Sequence, residues 1–563
     1  MAIKKRYIFL ILVAVLLVGL VIAGRIATRI PSGSVLTLTI AGQVAEEDWP
    51  DLSARMFEGD VTVFRTLLEA LDRAQHDDRI AGVSLEVQNV GMSFGKVQEL
   101  RDKLQALVAS GKFCTTYLET GYNLSYYLAT ACPEVYLTPT SLLGLNALMG
   151  HTTFIRGTLD KLNIYPDFYH IAEYKTFSNV YTEKRFTPAH REMVTDLITG
   201  WQQQLVEGIA AGRGLDAAAV EQLVRGGPYL AHEAVENNLI DKLLYYDQYR
   251  DLLKEKAGSS ELNTVSVANY LQRTTPRSGP KVAIVYATGT IVSGKSSYSP
   301  LLGRTMGSDT VAGALRQARK DGSVKAIVLR VDSGGGSAIA SEIIRREVEL
   351  AKETKPVVVS MSDVAASGGY MIAMSAHKVV ADPGTVTGSI GVVFGKLNLK
   401  GFYEMLGMTK DYVALAPNAT FLYAFENFTP AQRRVVRKFM RDTYDSFLQR
   451  VSAGRGMSVE EVDRIAKGRV WLGTQAKEHG LVDELGGLER AVALAKELAN
   501  IPEEQPVQYV IFPRPKTTWE QLQSWLGLSG GAVPARRAWL DPERLLLNRE
   551  PGLLIMPFRI EPR

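Results

Sequence analysis

The chain is poor in the residues that most often build chemical sites. Its 563 residues include only two cysteines, Cys114 and Cys132. That excludes both a disulfide framework and a zinc cluster made of cysteine pairs. A single bridge between the two stays open, since spacing alone does not show that their Cα atoms approach. Charge of one sign is scarce as well: 64 Lys and Arg face 60 Asp and Glu, a formal net charge of +4. Much of that excess (Lys4, Lys5, Arg6, Arg25, Arg29) flanks one apolar run, so no basic surface remains for a nucleic acid, and none is expected as a partner. No Gly-Lys-Ser/Thr follows the three glycines at 334–336, which argues against a nucleotide loop there. There are only seven histidines, and none stands in an evident relation to a nucleophile.

Long hydrophobic runs are also lacking, with one exception. Tyr7 to Ala23 gives 17 uncharged residues behind Lys4-Lys5-Arg6. A helix rising ~1.5 Å per residue over that run just spans a ~30 Å hydrocarbon core. It exceeds the 7–15 residues or so of a signal-peptide core, although the small residues Val21 and Ala23 keep cleavage before Gly24 open. Residues 1–30 are therefore read as a cytoplasmic stub and membrane anchor, with the positive cluster holding the N-terminus inside. Everything after residue 30 then lies outside. The remainder, 46% hydrophobic and 22% charged over the whole chain, has the composition of a folded protein of several domains.

The chain contains itself twice. Residues 64–89 align with 308–333, and at the same offset of 244 Tyr126 meets Tyr370, Pro139 meets Pro383 and Gly144 meets Gly388. After a two-residue gap the offset is 242, where Phe186-Thr-Pro-Ala189 meets Phe428-Thr-Pro-Ala431 and Asp241 meets Asp483. The copies span 33–250 and 281–503, joined by a linker 251–280 and followed by an extension 504–563 with no recognisable chemistry. In the second copy the spacing predicts strands at Val282–Tyr286, Ala326–Val331, Val357–Met361 and Val379–Ala381, and helices at Thr310–Lys320 and Ala340–Glu353. Such alternation points to an α/β fold with parallel sheets covered by helices.

Three elements carry candidate chemistry. Ser367 lies in Ala365-Ala-Ser-Gly-Gly-Tyr370, a small-residue turn after a strand, with a helix starting near Gly369. The hydroxyl there is either a nucleophile or a helix cap. Arg330-Val-Asp-Ser-Gly-Gly-Gly-Ser337 places three glycines after a strand, either as plain loop geometry or with backbone N–H groups aimed at an oxyanion. The third element is a complementary loss between the copies. Asn123 stands at the place of Ser367, while the first copy holds Lys175 where the second has Pro417. Two fused subunits sharing one site would leave this pattern; otherwise Lys175 is an ordinary solvated residue. With no histidine placed, a lysine whose pKa is lowered by burial is the remaining base. Ser389, in Thr387-Gly-Ser-Ile-Gly391, either orients that lysine or is a turn hydroxyl.

Asp332-Ser-Gly-Gly-Gly-Ser337, Ala365-Ala-Ser-Gly-Gly-Tyr370 and Thr387-Gly-Ser-Ile-Gly391 resemble the motifs of the signal peptide peptidase A (protease IV) family in its long, duplicated form. The likeness covers about residues 30–503. It implies two tandem crotonase-like repeats, as in the caseinolytic protease, four chains in a dome, and active sites facing inward. It makes Ser367 the nucleophile, Lys175 the base and Ser389 the holder of the amine, with Gly368 and a glycine of the 334–336 turn, Gly335 or Gly336, as oxyanion donors. The family usually has Asn-Ser-Pro-Gly-Gly where this chain has Asp332-Ser-Gly-Gly-Gly, so a stiffening proline is missing. The implied protein is a serine endopeptidase without metal or organic cofactor, a homotetramer anchored in the bacterial inner membrane with its body in the periplasm. It would degrade cleaved signal peptides and other unfolded peptides. The rival reading is a non-catalytic membrane scaffold or acyl-group binder on the same fold.

Overall fold

The runs of valine and isoleucine in the second copy are too apolar for a half-exposed sheet and demand cover on both faces. The computed structural model describes residues 29–47, 61–276, 278–299, 303–514 and 553–555. In it these runs lie side by side in the order Val470–Leu472, Val386–Gly388, Val357–Ala366, Val324–Ser333, Lys281–Thr288 and Gln508–Phe512, with Lys378–Ala381 beside the first half of Val357–Ala366. Neighbours are parallel except Val470–Leu472 against Val386–Gly388. Alternation divides the strand Lys281–Thr288 between two cores. Ala283, Val285 and Ala287 face one cluster, and Val282, Ile284 and Tyr286 face the other, beneath the helix Leu488–Leu498. The first copy repeats the plan with parallel strands Lys242–Leu243, Glu134–Leu137, Phe113–Leu118, Ile80–Gly91, Ser34–Ala45 and Thr264–Ser266 in that order.

The duplication is also visible in matching helix ends. Pro188–Arg213 and Pro430–Arg455 are each 26 residues long, capped by Thr187 and Thr429, with proline at the first turn and left-handed Gly214 and Gly456 at the end. Cys114 and Cys132, 5.0 Å apart at Cα, are bridged. The apolar run expected to be a membrane anchor falls within residues 1–28, outside the described residues. Among those that are described, no helix is long and apolar enough to cross a membrane.

Among the differences from the expected element bounds, two bear on the site. The strand read at Val357–Met361 runs on to Ala366, because Ala365 and Ala366 still pair with Thr387 and Gly388. The glycine turn at 334–336 is half strand: Gly335–Ser337 pairs in parallel with Ile291 through Gly336. With no side chains, these glycines can pack backbone against backbone.

The copies are joined by buried charge and by one crossing strand. Arg330, in mid-strand and wholly buried, is met by Glu46 (3.0 Å, two contacts) and Glu99 (2.8 Å) of the first copy. Burial alone would raise the Glu46 pKa, but Arg330 and Lys96 outweigh it and hold it at about 2. The crossing strand is Tyr165–His170 of the first copy, which pairs antiparallel with Val393–Asn398 of the second. It delivers the residues that follow it into the second copy.

Candidate active site

Ser367 is the only residue between the strand Val357–Ala366 and the helix Gly368–Ala373. Its backbone sits at φ 56°, ψ −112°, and its N–H donates to the Gly388 carbonyl at 2.8 Å. A non-glycine residue there costs about 1–3 kcal/mol, strain that surrounding structure must hold in place. The neighbours are small for a steric reason: a Cβ on Gly368 would come within 2.6 Å of Ser341 Oγ and 3.2 Å of Gly335 Cα. The helix therefore begins one residue earlier than the sequence suggests, directly on the serine. At six residues it offers free N–H groups more than a long dipole.

Lys175 follows the crossing strand and is wholly buried. Its approach is pinned to the second copy by Ile171 N–H to Val392 O and Tyr174 N–H to Lys467 O, both 3.2 Å. Two glycines of the second copy line its path. A Cβ on Gly468, which is at φ 79°, would strike Lys175 Cα at 2.6 Å, and one on Gly391 would meet Lys175 Cδ at 3.1 Å. Lys175 Nζ ends 2.7 Å from Ser367 Oγ, 3.0 Å from Ser389 Oγ and 2.9 Å from the Ser389 carbonyl. Ser389, like Ser367, has a positive φ, 52°.

These three contacts match the valence of a neutral amine. With its two N–H bonds donated to Ser389 O and Oγ, a neutral amine would keep its lone pair for the Ser367 hydroxyl. Burial drives the Lys175 pKa well below that of an ordinary lysine, and no neighbouring charge opposes it. Histidines play no comparable part: His377 Nδ1 instead accepts the Val357 N–H at 3.1 Å.

The depressed lysine pKa also bears on stability. Between its folded pKa and the ~10.4 of a free lysine, the unfolded chain binds a proton that the folded one does not, so stability rises with pH through that window. Lys175→Met is expected to raise Tm at neutral pH, with the gain shrinking as pH approaches 10.4 or so; calorimetry across pH checks this.

The glycine strand lies beside the serine. Gly335 N–H donates to Ser333 Oγ at 3.1 Å, and Gly335 is at φ 102°. On its other side the strand pairs with the chain's own residues 553–555: Gly335 with Ile555, Gly336 with Leu554 and Ser337 with Leu553, antiparallel. Leu553 also pairs with Val393. A slot next to the serine thus accepts an extended backbone, a function that nothing in the sequence of residues 504–563 signals.

Sequence reasoning missed Gly468, Gly391 and the Ser389 carbonyl. It also missed Lys96, which reaches from the first copy to Asp332 (2.6 Å) and Asp363 (2.8 Å) in the two strands that lead into the glycines and the serine. Gly226 stands opposite Gly468 in the repeat, the one hint the sequence held. In the first copy, Asn123 at the serine position is tied to Asn146 by hydrogen bonds of 2.9 and 3.1 Å. Leu145 replaces Ser389 there, leaving one site of this kind per chain.

Comparison with known proteins agrees with the duplication. The model of "Peptidase family S49" matches residues 106–260 and again 349–502. The chain is similar to the chloroplastic serine protease SPPA of Arabidopsis thaliana, 34% identical over 514 residues, 89% of this chain and 74% of that one. It is 29% identical to Protease 4 of Haemophilus influenzae over 563 residues, 92% of this chain and 90% of the other. Against a ClpP1 mutant from Listeria monocytogenes the TM-score is 0.25 at 14% identity, over 37% of this chain and 94% of that one, too low to bear on the fold.

Proposed function

The chain belongs to peptidase family S49 and is a serine peptidase, and on that premise we propose that it is a membrane-anchored endopeptidase with a Ser367/Lys175 dyad, degrading cleaved signal peptides and other extended peptides. The observation that carries this reading is the buried Lys175 amine within hydrogen-bond distance of both Ser367 Oγ and the Ser389 hydroxyl and carbonyl.

In this reaction Lys175 takes the Ser367 proton as Oγ attacks the scissile carbonyl. The oxyanion is received by the Gly368 N–H and by an N–H of the adjoining glycine strand other than that of Gly335, which Ser333 Oγ accepts. Lys175 then gives its proton to the departing amine, leaving an acyl-enzyme. Water, deprotonated by Lys175, releases the acid and restores Ser367. Every step is carried by side chains and backbone, so no metal or organic cofactor is invoked. The slot between Gly335–Ser337 and Val393–Asn398 supports an extended substrate that adds as a strand, its main chain bound irrespective of sequence.

Around this centre the reading places two crotonase-like repeats, a single N-terminal span in the bacterial inner membrane, a periplasmic body, and a homotetramer with its sites facing inward. Incubating the full chain with a synthetic signal peptide and with a folded protein tests the substrate class. Internal cleavage of the peptide alone is expected, and equal attack on the folded protein would overturn it.

Two further results are expected. A lysine base works only when neutral, so kcat/KM rises with pH through the lowered Lys175 pKa and the optimum is alkaline; a pH profile flat into mild acid would contradict a lysine base. Ser389→Ala removes one of the two acceptors that hold the amine. It should lower kcat about tenfold, the worth of one hydrogen bond in the transition state, and leave KM unchanged.

A further inference from the structure

Lys96 and Lys175, both buried and both from the first copy, are held in opposite ways. Lys175 meets no opposing charge, whereas Lys96 Nζ lies 2.6 Å from Asp332, 2.8 Å from Asp363 and 3.6 Å from Glu46. Burial alone would lower the Lys96 pKa, but Asp332, Asp363 and Glu46 outweigh it and raise it. Lys96 is thus a fixed cation and takes no share in the work of the base.

Its two closest partners sit at an irregularity beside the nucleophile. The strands Val324–Ser333 and Val357–Ala366 pair Val331 with Met361 and then Ser333 with Ala365, so Asp332 alone faces the three residues Ser362 to Val364. A bulge of this kind re-aims the chain that follows it, here the glycine strand on one side and Ser367 on the other. Where the ladder is broken, the Asp332 carboxylate accepts the Val364 N–H at 3.3 Å. Asp363, on the longer side, accepts the backbone N–H groups of Ser93 (3.1 Å) and Lys96 (2.9 Å) at the start of the helix Phe94–Ala109. Lys96 Nζ then reaches back to both carboxylates and closes the clamp.

The repeat shows what is special in this arrangement. By the offset of 244, Ser93 and Lys96 match Ser337 and Ala340. Ser337 caps its own helix, Ala338–Lys352, by accepting the Ala340 N–H at 3.2 Å. Ser93 makes no side-chain cap, and the N–H groups it would serve go to Asp363 of the second copy. The counterparts of Asp332 and Asp363 are Gln88 and Glu119, both exposed. With alanine at the lysine position, the strands of the copy without a nucleophile have no such clamp among the described residues.

We propose that Lys96 is a positioning residue for peptide hydrolysis: by holding Asp332 and Asp363 together it sets the glycine strand against the turn that bears Ser367, and so aims the oxyanion donors at the carbonyl under attack. The first copy then serves the site twice, with Lys175 as the base and Lys96 as the clamp. The proposal rests on the reading of Ser367 as nucleophile given above.

The test compares Lys96→Met, Asp332→Ala and the double variant, as full chains, on a synthetic signal peptide. Two inhibitors accompany it: the N-terminal product of that peptide made as an aldehyde, and the same product made as an alcohol. The aldehyde forms a hemiacetal with Ser367 whose oxygen takes the oxyanion position, and the alcohol forms none. Asp332 is partly exposed, so its truncation spares the fold, and Asp363 remains to pair with Lys96. Each single variant should lower kcat about 10²-fold, the effect of a misplacement of about 1 Å, with KM unchanged. Inhibition by the aldehyde should weaken by the same factor and inhibition by the alcohol should not change. The double variant should lose no more than the worse single one, as two groups acting as a unit do. A kcat near that of wild type in Asp332→Ala, or losses that multiply in the double variant, would overturn the clamp. If Lys96→Met does not fold, Asp332→Ala decides alone. A wild type that binds the aldehyde no more tightly than the alcohol would overturn Ser367 as the nucleophile, and the clamp with it.

Discussion

Ser367→Ala is expected to lower kcat/KM for peptide hydrolysis by on the order of 10⁴–10⁶-fold, as loss of a serine nucleophile does when oxyanion donors remain. The fold should survive. The hydroxyl points at the Lys175 amine, its only side-chain partner among the described residues, and the backbone anchor, Ser367 N–H to Gly388 O, does not depend on it. Alanine at φ 56° bears about the same backbone strain as serine. Substrate should still bind, because the strand slot is made of main chain. Turnover at a substantial fraction of wild type by a correctly folded Ser367→Ala chain would remove this serine from the mechanism.

Lys175→Arg is expected to be nearly as damaging, with a loss of about 10²–10⁴-fold, the range for removal of a general base. Arginine keeps the charge but holds its proton up to a pH above ~12, and its planar head cannot offer a lone pair to Ser367. It must also pass Gly468 and Gly391, which leave no spare width along the lysine stem. Steady-state kinetics from neutral to alkaline pH check this. Retention of most activity would make Lys175 an electrostatic contact and not a base.

Much of this was legible in the sequence, for identifiable reasons. The duplication, the parallel strands and the long helices follow from β-branched runs, threonine caps and terminal glycines, which are local signals repeated at offsets of 244 and then 242. The pairing of serine with lysine was legible because each copy kept what the other had lost. How Lys175 reaches Ser367 was not. Tyr165–His170 reads Tyr-Pro-Asp-Phe-Tyr-His, without the alternation of a half-buried strand, and it becomes one only by joining an edge in the other copy. Arg330 and Lys96 would also have been misplaced. A charge in mid-strand argues against burial until the acids that meet it, drawn from residues far away in sequence, are brought alongside. Three glycines in a row signal a turn in sequence, whereas here they permit close packing of strands.

In the proposed mechanism a neutral, buried Lys175 activates Ser367. Labelling with a fluorophosphonate, followed by mass mapping in wild type and in Lys175→Met, tests it most directly, because the reagent reports the nucleophile without needing a known substrate. One adduct is expected, on Ser367, forming faster as pH rises and lost in Lys175→Met. An adduct on another residue, or labelling of Ser367 at the same rate without the lysine, would contradict it.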